Sequence, residues 1–166
     1  MTASEVRVGQ GFDVHRFSDD PARSLVLGGC TFEGIAGLAG HSDADAVAHA
    51  VADALLGAAG LGDIGEHFPD TDPQWAGADS VVLLTRVAGL VRDAGWVVGN
   101  VDCSVVAEQP KIAPRRAEMQ RALTEAVGAP VTVKGRRAEG LGALGRGEGI
   151  ACWAVAVIVR DSAGGT

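Results

Sequence analysis

The sequence predicts an α+β fold, an α/β two-layer arrangement in which a mixed β-sheet carries helices on one face. Two observations predict it. Runs rich in β-branched residues alternate along the chain with runs whose apolar residues recur every three to four positions. The chain also holds 24 glycines, more than a plain helix bundle would tolerate and enough for many tight turns. At 166 residues it has room for one core, so residues 1–166 are expected to form a single domain, with 161–166 a frayed tail.

The elements follow in order. Val6 to His15 reads as a strand weakened by Gly9 and Gly11, and Ser24 to Leu27 as a short second strand. Ser42 to Ala59 is the strongest helix, because Val47, Val51 and Leu55 recur every four residues and Gly60 suits its end. Gly62 to Gly77 reads as a long loop, a length that more often signals function than spacing. Asp79 or Ser80 can cap a helix running to about Ala94. Val97 to Ala107 is a strand, and Pro114 can open a helix ending near Gly128. Val131 to Lys134 is a short strand, Gly140 to Gly149 a glycine-rich loop, and Ile150 to Arg160 a buried, β-branched strand.

Composition narrows the function. A formal net charge of −7 argues against a nucleic-acid partner, which would need a basic stripe. It leaves room for a phosphorylated small molecule, since a metal or a local site can reverse the field. The three cysteines are odd in number and form no C-x-x-C, so a reducing compartment is expected. Met1 to Arg7 carries no apolar signal and no segment is long enough to span a bilayer, so a cytoplasmic protein without a membrane partner is expected.

Several residues are candidates for chemistry. Asp13 and His15 stand at i and i+2 of a strand and so face one side, with Val14 opposite. Two such ligands and a third from elsewhere would make an open metal site, whereas D-x-H taken alone is more often a surface polar pair at a strand end. Asp45, His49 and Asp53 share one stripe of the first helix, which suits a metal or phosphate surface or, equally, a solvated face. His41 and Ser42 would sit at that helix's N-terminus, where free N–H groups attract phosphate. Asp63, Asp70 and Asp72 can bind hydroxyls or a hard cation, or simply make turns. Lys111 lies between Pro110 and Pro114 in a rigid loop that can present backbone groups to a base and the lysine to phosphate, or simply connect a strand to a helix. Lys134 to Glu148 is rich in Gly and Arg and can cradle a diphosphate, with Glu139 holding Mg²⁺, or simply form a flexible surface loop.

These pieces include G-Q-G-F-D-V-H (9–15), the long block from G-H-S-D-A-D to E-H-F-P-D-T-D-P (40–73), and G-A-D-S (77–80). They continue with N-V-D (100–102), Q-P-K-I-A-P (109–114) and G-R-G-E-G-I-A (145–151). In this order they resemble the 2-C-methyl-D-erythritol 2,4-cyclodiphosphate synthase family of the non-mevalonate isoprenoid pathway, over nearly the whole chain. The resemblance implies a homotrimer whose sheets pack around the axis and whose active sites lie between subunits. It implies a lyase that converts 4-diphosphocytidyl-2-C-methyl-D-erythritol 2-phosphate to the cyclic diphosphate and CMP. It also implies two metals, Zn²⁺ on Asp13, His15 and His49, and Mg²⁺ or Mn²⁺ on Glu139.

For the substrate, the resemblance implies that His41 and Ser42 hold phosphate, with His41 stabilising the transition state. Asp13, Val14 and His15 would also touch the substrate, and Asp53 would bind the methylerythritol part. Asp63, Ile64 and Gly65 would meet a sugar, with Phe68, Pro69, Asp70, Thr71 and Asp72 closing over it. Ala107, Glu108, Gln109, Pro110, Lys111, Ile112 and Ala113 would receive the cytosine largely through backbone groups. Arg136, Arg137, Ala138 and Glu139 would face the phosphates. Ala143 and Arg146, with Glu148, would lie near the trimer axis, where an isoprenoid diphosphate can bind.

The chain departs from the family in one stretch. Lys134-Gly135-Arg136-Arg137-Ala138-Glu139 stands where the family carries Lys-Ala-Thr-Thr-Thr-Glu, and Ala143 stands where it carries Phe. Arg137 thus replaces a hydroxyl expected to act in catalysis. It can grip a diphosphate bidentately or turn outward and leave the work to backbone N–H groups. Two other readings use the same residues. One is a zinc phosphohydrolase that activates water. The other is a non-catalytic trimer that binds an isoprenoid diphosphate.

Overall fold

The computed structural model describes residues 5–160; the tail expected to fray lies outside the described residues. Four strands form one mixed sheet: β1 (Val6–Arg16), β4 (Trp96–Val106), β5 (Val131–Arg136) and β6 (Gly149–Arg160). Their order is β1-β6-β4-β5, with β6 antiparallel to both neighbours and β4 parallel to β5. The parallel pair is joined through α4 (Arg116–Val127), since parallel strands need a crossover. A separate hairpin pairs β2 (Ser24–Leu27) with β3 (Cys30–Ala36). β3 was not expected from the sequence. Gly34 interrupts its alternation with a left-handed backbone, and the pairing shifts register beside Ser24 and Leu25.

The central helix is α1 (Ala46–Ala59), and it lies across β1, β6 and β4. It is buried on nearly every side, as a helix that is apolar all round must be. The positions left open are His49, Asp53 and Gly57, one every four residues. The solvated-face alternative therefore fails, because this is a core helix with a single open stripe. Gly9 and Gly11 allow the close approach to β1. A Cβ at Gly9 would stand 2.0 Å from the Ala54 carbonyl oxygen, and one at Gly11 would stand 1.9 Å from that of Ala50.

α1 begins at Ala46 rather than Ser42. Asp45, fully buried, caps it by accepting from the backbone N–H groups of Val47 and Ala48, both at 3.0 Å. The Gly62–Gly77 stretch is not structureless. It holds α2 (Ile64–His67), capped by Asp63, and a 3₁₀ turn, Pro73–Trp75, capped by Asp72. α3 (Ser80–Asp93) follows, capped by Asp79. Pro114 sits in a 3₁₀ turn that leads into α4. β5 runs on to Arg136, and the glycine-rich loop contains one short helical turn, α5 (Gly142–Gly145).

The face of the sheet away from the helices is open. Val8, Phe12 and Val14 of β1 and Trp153 and Val155 of β6 are exposed on it, with the Phe12 and Trp153 rings 4.7 Å apart.

Candidate metal centre and neighbouring groove

β1 and α1 together bring three ligands to one point. Asp13 and His15 face α1, on the same side of the strand as Gly9 and Gly11. His49 meets them from the helix's open stripe. His15 Nε2 lies 2.8 Å and His49 Nδ1 3.0 Å from Asp13 Oδ2. One ligand atom from each residue falls within 4.8 Å of the others.

The hydrogen bonds around the triad point to a cation. His15 Nδ1 is 2.7 Å from the Ala39 carbonyl, which can only accept, so Nδ1 carries a proton and in the neutral ring Nε2 is a bare lone pair. That Nε2 is buried without a hydrogen-bond partner, although a carboxylate oxygen stands 2.8 Å away. Two lone-pair donors facing each other at this distance repel unless a positive charge lies between them. Two imidazoles and a carboxylate, one imidazole oriented from behind by a carbonyl, suit an open zinc site. Burial pushes the Asp13 carboxyl up, but the two imidazoles beside it more than reverse this and hold it at about 2. Burial lowers His15, and Asp13 beside it more than compensates, so its pKa is raised.

A cavity of about 420 Å³ opens over the triad, walled by His41, Ser42, Ile64, Gly65, Phe68, Pro69 and Asp70 among others. Thr71 and Asp72 belong to the same loop, outside the wall. Asp53, one turn after His49, accepts from the Ile64 N–H at 2.8 Å and so holds α2 to the site. Burial pushes its carboxyl up, partly offset by that N–H. Trp75 adds an aromatic wall, edge-on to Phe68 with ring centroids 5.0 Å apart.

The expected place of His41 and Ser42, at the N-terminus of the first helix, needs correction. His41 and Ser42 lie five and four residues before α1, and Asp45 already occupies its first N–H groups. Asp45 also accepts from Gly28 and Gly29 at 2.8 and 2.7 Å, so it faces away from the metal stripe and is no ligand. His41 Nε2 donates instead to the Asp72 carbonyl at 3.0 Å and ties the lid loop down. The carboxylates of Asp63 and Asp72 serve as caps, and among the described residues they form no metal cluster.

A second hollow, about 300 Å³, lies at the other edge of the sheet, lined by Ala107, Glu108, Pro110, Lys111, Ile112 and Ala113. Arg116, Arg136 and Arg137 complete it, so four cations surround it in an otherwise acidic chain. Gln109 is exposed and joined to Pro110 by a cis peptide bond. Glu108 accepts from the Ala138 N–H at 2.9 Å and fixes the Arg137–Glu139 turn. Glu139 is exposed with a left-handed backbone, φ 53°, a conformation that few non-glycine residues adopt. Ala143 is exposed on α5, and Arg146 pairs with Glu148 at 2.6 Å.

The register fixes how the two places relate. Val14, Ala151, Val106 and Arg136 form one row across β1, β6, β4 and β5. The triad flanks Val14, so within one chain the arginine hollow is three strand spacings away, roughly 14 Å.

The model of the YgbB family matches residues 6–159. The chain belongs to the YgbB family. It is 54% identical over 163 residues to the bifunctional enzyme IspD/IspF of Anaeromyxobacter dehalogenans, covering 96% of this chain and 42% of that protein. It is 51% identical over 161 residues to the 2-C-methyl-D-erythritol 2,4-cyclodiphosphate synthase of Synechococcus elongatus, covering 95% of this chain and 99% of that one. The bifunctional IspDF structure from Campylobacter jejuni matches with TM-score 0.89 and 38% identity, over 95% of this chain and 43% of its own. A Plasmodium falciparum IspF solved as a CDP complex matches with TM-score 0.82 and 30% identity, over 97% of this chain and 100% of its own. The chain thus spans about two fifths of the bifunctional relatives and nearly all of the single-function ones.

Beside the YgbB motifs stand residues that the sequence reading passed over. Trp75 lies within the Gly62–Gly77 stretch, and only its place between two aspartate caps hints at a wall. Asp43 and Ser80 meet behind His49, 37 residues apart in the chain, and no local spacing signals it.

Proposed function

We propose that this chain is a 2-C-methyl-D-erythritol 2,4-cyclodiphosphate synthase, acting as one domain. The observation that carries the proposal is the Asp13/His15/His49 triad, with its orphaned imidazole nitrogen, beneath a lidded cavity in a YgbB-family chain. The substrate is 4-diphosphocytidyl-2-C-methyl-D-erythritol 2-phosphate. Its own 2-phosphate attacks the β-phosphorus, and CMP leaves.

No protein nucleophile is required, in keeping with three cysteines that are all buried. What the chain supplies is geometry and charge. His41, Ser42 and Phe68 to Asp72 fold the flexible substrate and exclude water. Asp53, Asp63 and Gly65 bind hydroxyls. The 107–113 loop takes the cytosine, and Arg136 and Arg137 lie against the phosphates, where a planar guanidinium binds bidentately. Zn²⁺ on the triad would act as a Lewis acid and template. Glu139 offers one carboxylate to Mg²⁺ or Mn²⁺, which takes most of its oxygens from phosphates and water in such sites.

Two features support a homotrimer with shared sites. The open sheet face groups exposed apolar side chains, Val8, Phe12, Val14, Trp153 and Val155, as a surface built to be covered does. The roughly 14 Å between triad and hollow suits a hollow facing the triad of the next copy. Arg146 would then lie near the axis, beside a space for an isoprenoid diphosphate.

The test is CMP release from the substrate with Zn²⁺ and Mg²⁺, for the wild type and His49→Ala. The proposal expects CMP from the wild type alone, with the variant folded and zinc-free. Full activity in His49→Ala would refute it.

A further inference from the structure

Behind His49, on the side away from Asp13, lies a chain of polar groups that ends on a carboxylate. His49 Nε2 is 2.8 Å from Ser80 Oγ. The Ser80 hydroxyl donates to Asp43 Oδ1. Asp43 is itself held in place, accepting from the backbone N–H groups of Asp45 and Ser80 at 3.1 Å each. Ser80 is 1% exposed, and its side chain is free for this role because Asp79 caps α3. Ser42 Oγ also approaches Nε2, at 3.2 Å, but has no carboxylate behind it.

The direction of the protons follows from the end of the chain. A carboxylate only accepts, so the one hydroxyl proton of Ser80 points to Asp43. The Ser80 oxygen then offers a lone pair to Nε2, which must carry the imidazole proton. That leaves Nδ1 bare, and Nδ1 is the nitrogen 3.0 Å from Asp13 Oδ2. We propose that Asp43 and Ser80 are positioning residues that hold His49 in the tautomer and orientation needed to ligate the metal through Nδ1. His15 is fixed through Nδ1 by the Ala39 carbonyl and His49 through Nε2 by the Asp43–Ser80 pair, so both bare nitrogens turn to one point. The same contacts join the loop before α1 to the start of α3, which makes the ligand's orientation depend on that junction. The inference rests on the zinc reading of the triad and adds the residues that set it.

The experiment measures zinc affinity by competition with a chromophoric chelator, and His49 tautomer by ¹⁵N NMR of histidine-labelled, metal-free protein. Ser80→Ala is expected to weaken zinc binding about 10- to 100-fold. Asp43→Asn is expected to weaken it less, and the double variant no more than Ser80→Ala alone, because the two act through one chain. The wild type is expected to show His49 protonated at Nε2 and bare at Nδ1, and Ser80→Ala a mixture of tautomers. A merely structural role for Ser80 would lower stability and leave the tautomer unchanged. Unchanged zinc affinity in folded Ser80→Ala, additive losses, or a wild-type His49 protonated at Nδ1 would each overturn the inference. A wild type that binds no zinc would overturn the zinc reading as well. If Ser80→Ala fails to fold, the wild-type tautomer and Asp43→Asn decide.

Discussion

Replacing Gly11 by alanine should damage the metal centre by forcing β1 and α1 apart. The added Cβ would stand 1.9 Å from the Ala50 carbonyl oxygen and 2.7 Å from the Ala54 backbone nitrogen. Both are helix backbone, so no side chain can swing away. Relieving the clash to an ordinary carbon–oxygen contact needs a shift of roughly 1.5 Å between β1 and α1. Overpacking of this kind costs about 1–3 kcal/mol, or roughly 2–12 °C in Tm for a domain of this size. The functional loss should be larger. Asp13 and His15 ride on β1 and His49 on α1, whereas zinc–ligand distances tolerate only about 0.2 Å. Differential scanning calorimetry and chelator competition on Gly11→Ala would measure both effects. A variant with wild-type Tm and zinc affinity would refute the claim that this glycine sets the strand–helix spacing.

Other changes have signs the structure also fixes. Gly57 sits within α1, where a Cβ would meet nothing closer than the Gln10 carbonyl oxygen at 3.9 Å, so Gly57→Ala should stabilise by about 0.5–1 kcal/mol, read as a higher urea midpoint. Asp45→Ala should cost on the order of 3 kcal/mol, because it strands the N–H groups of Gly28, Gly29, Val47 and Ala48 in the core; the urea midpoint should fall with the slope unchanged. Zinc at 100 times its Kd should stabilise the folded protein by about 2.7 kcal/mol, and a chelator should remove that increment from the wild type but not from His49→Ala.

How legible the site was depended on how local its logic is. Asp13 and His15 could be read together because a strand places i and i+2 on one side. The helical periodicity of Val47, Val51 and Leu55 likewise found α1. Asp45 shows the limit: it shares a stripe with His49 and Asp53 in a helical projection, but it stands one residue before the helix and caps it. No periodicity distinguishes a ligand from a cap until the helix start is known. β3 was missed because Gly34 and a register shift break its pattern. Ser80 was read only as a possible cap. Its real environment depends on Asp43, which only the packing of α3 against the 41–45 loop brings near. The relation between triad and arginine hollow lies in strand order, which the sequence does not state.

The most direct test of the central claim is phosphorus NMR of the product made by the zinc-loaded protein with Mg²⁺ in ¹⁸O-labelled water. The account predicts a cyclic diphosphate with two coupled phosphorus resonances and no label at either phosphorus. An open-chain product carrying solvent oxygen would contradict it, because the triad would then be activating water rather than presenting the substrate's own phosphate.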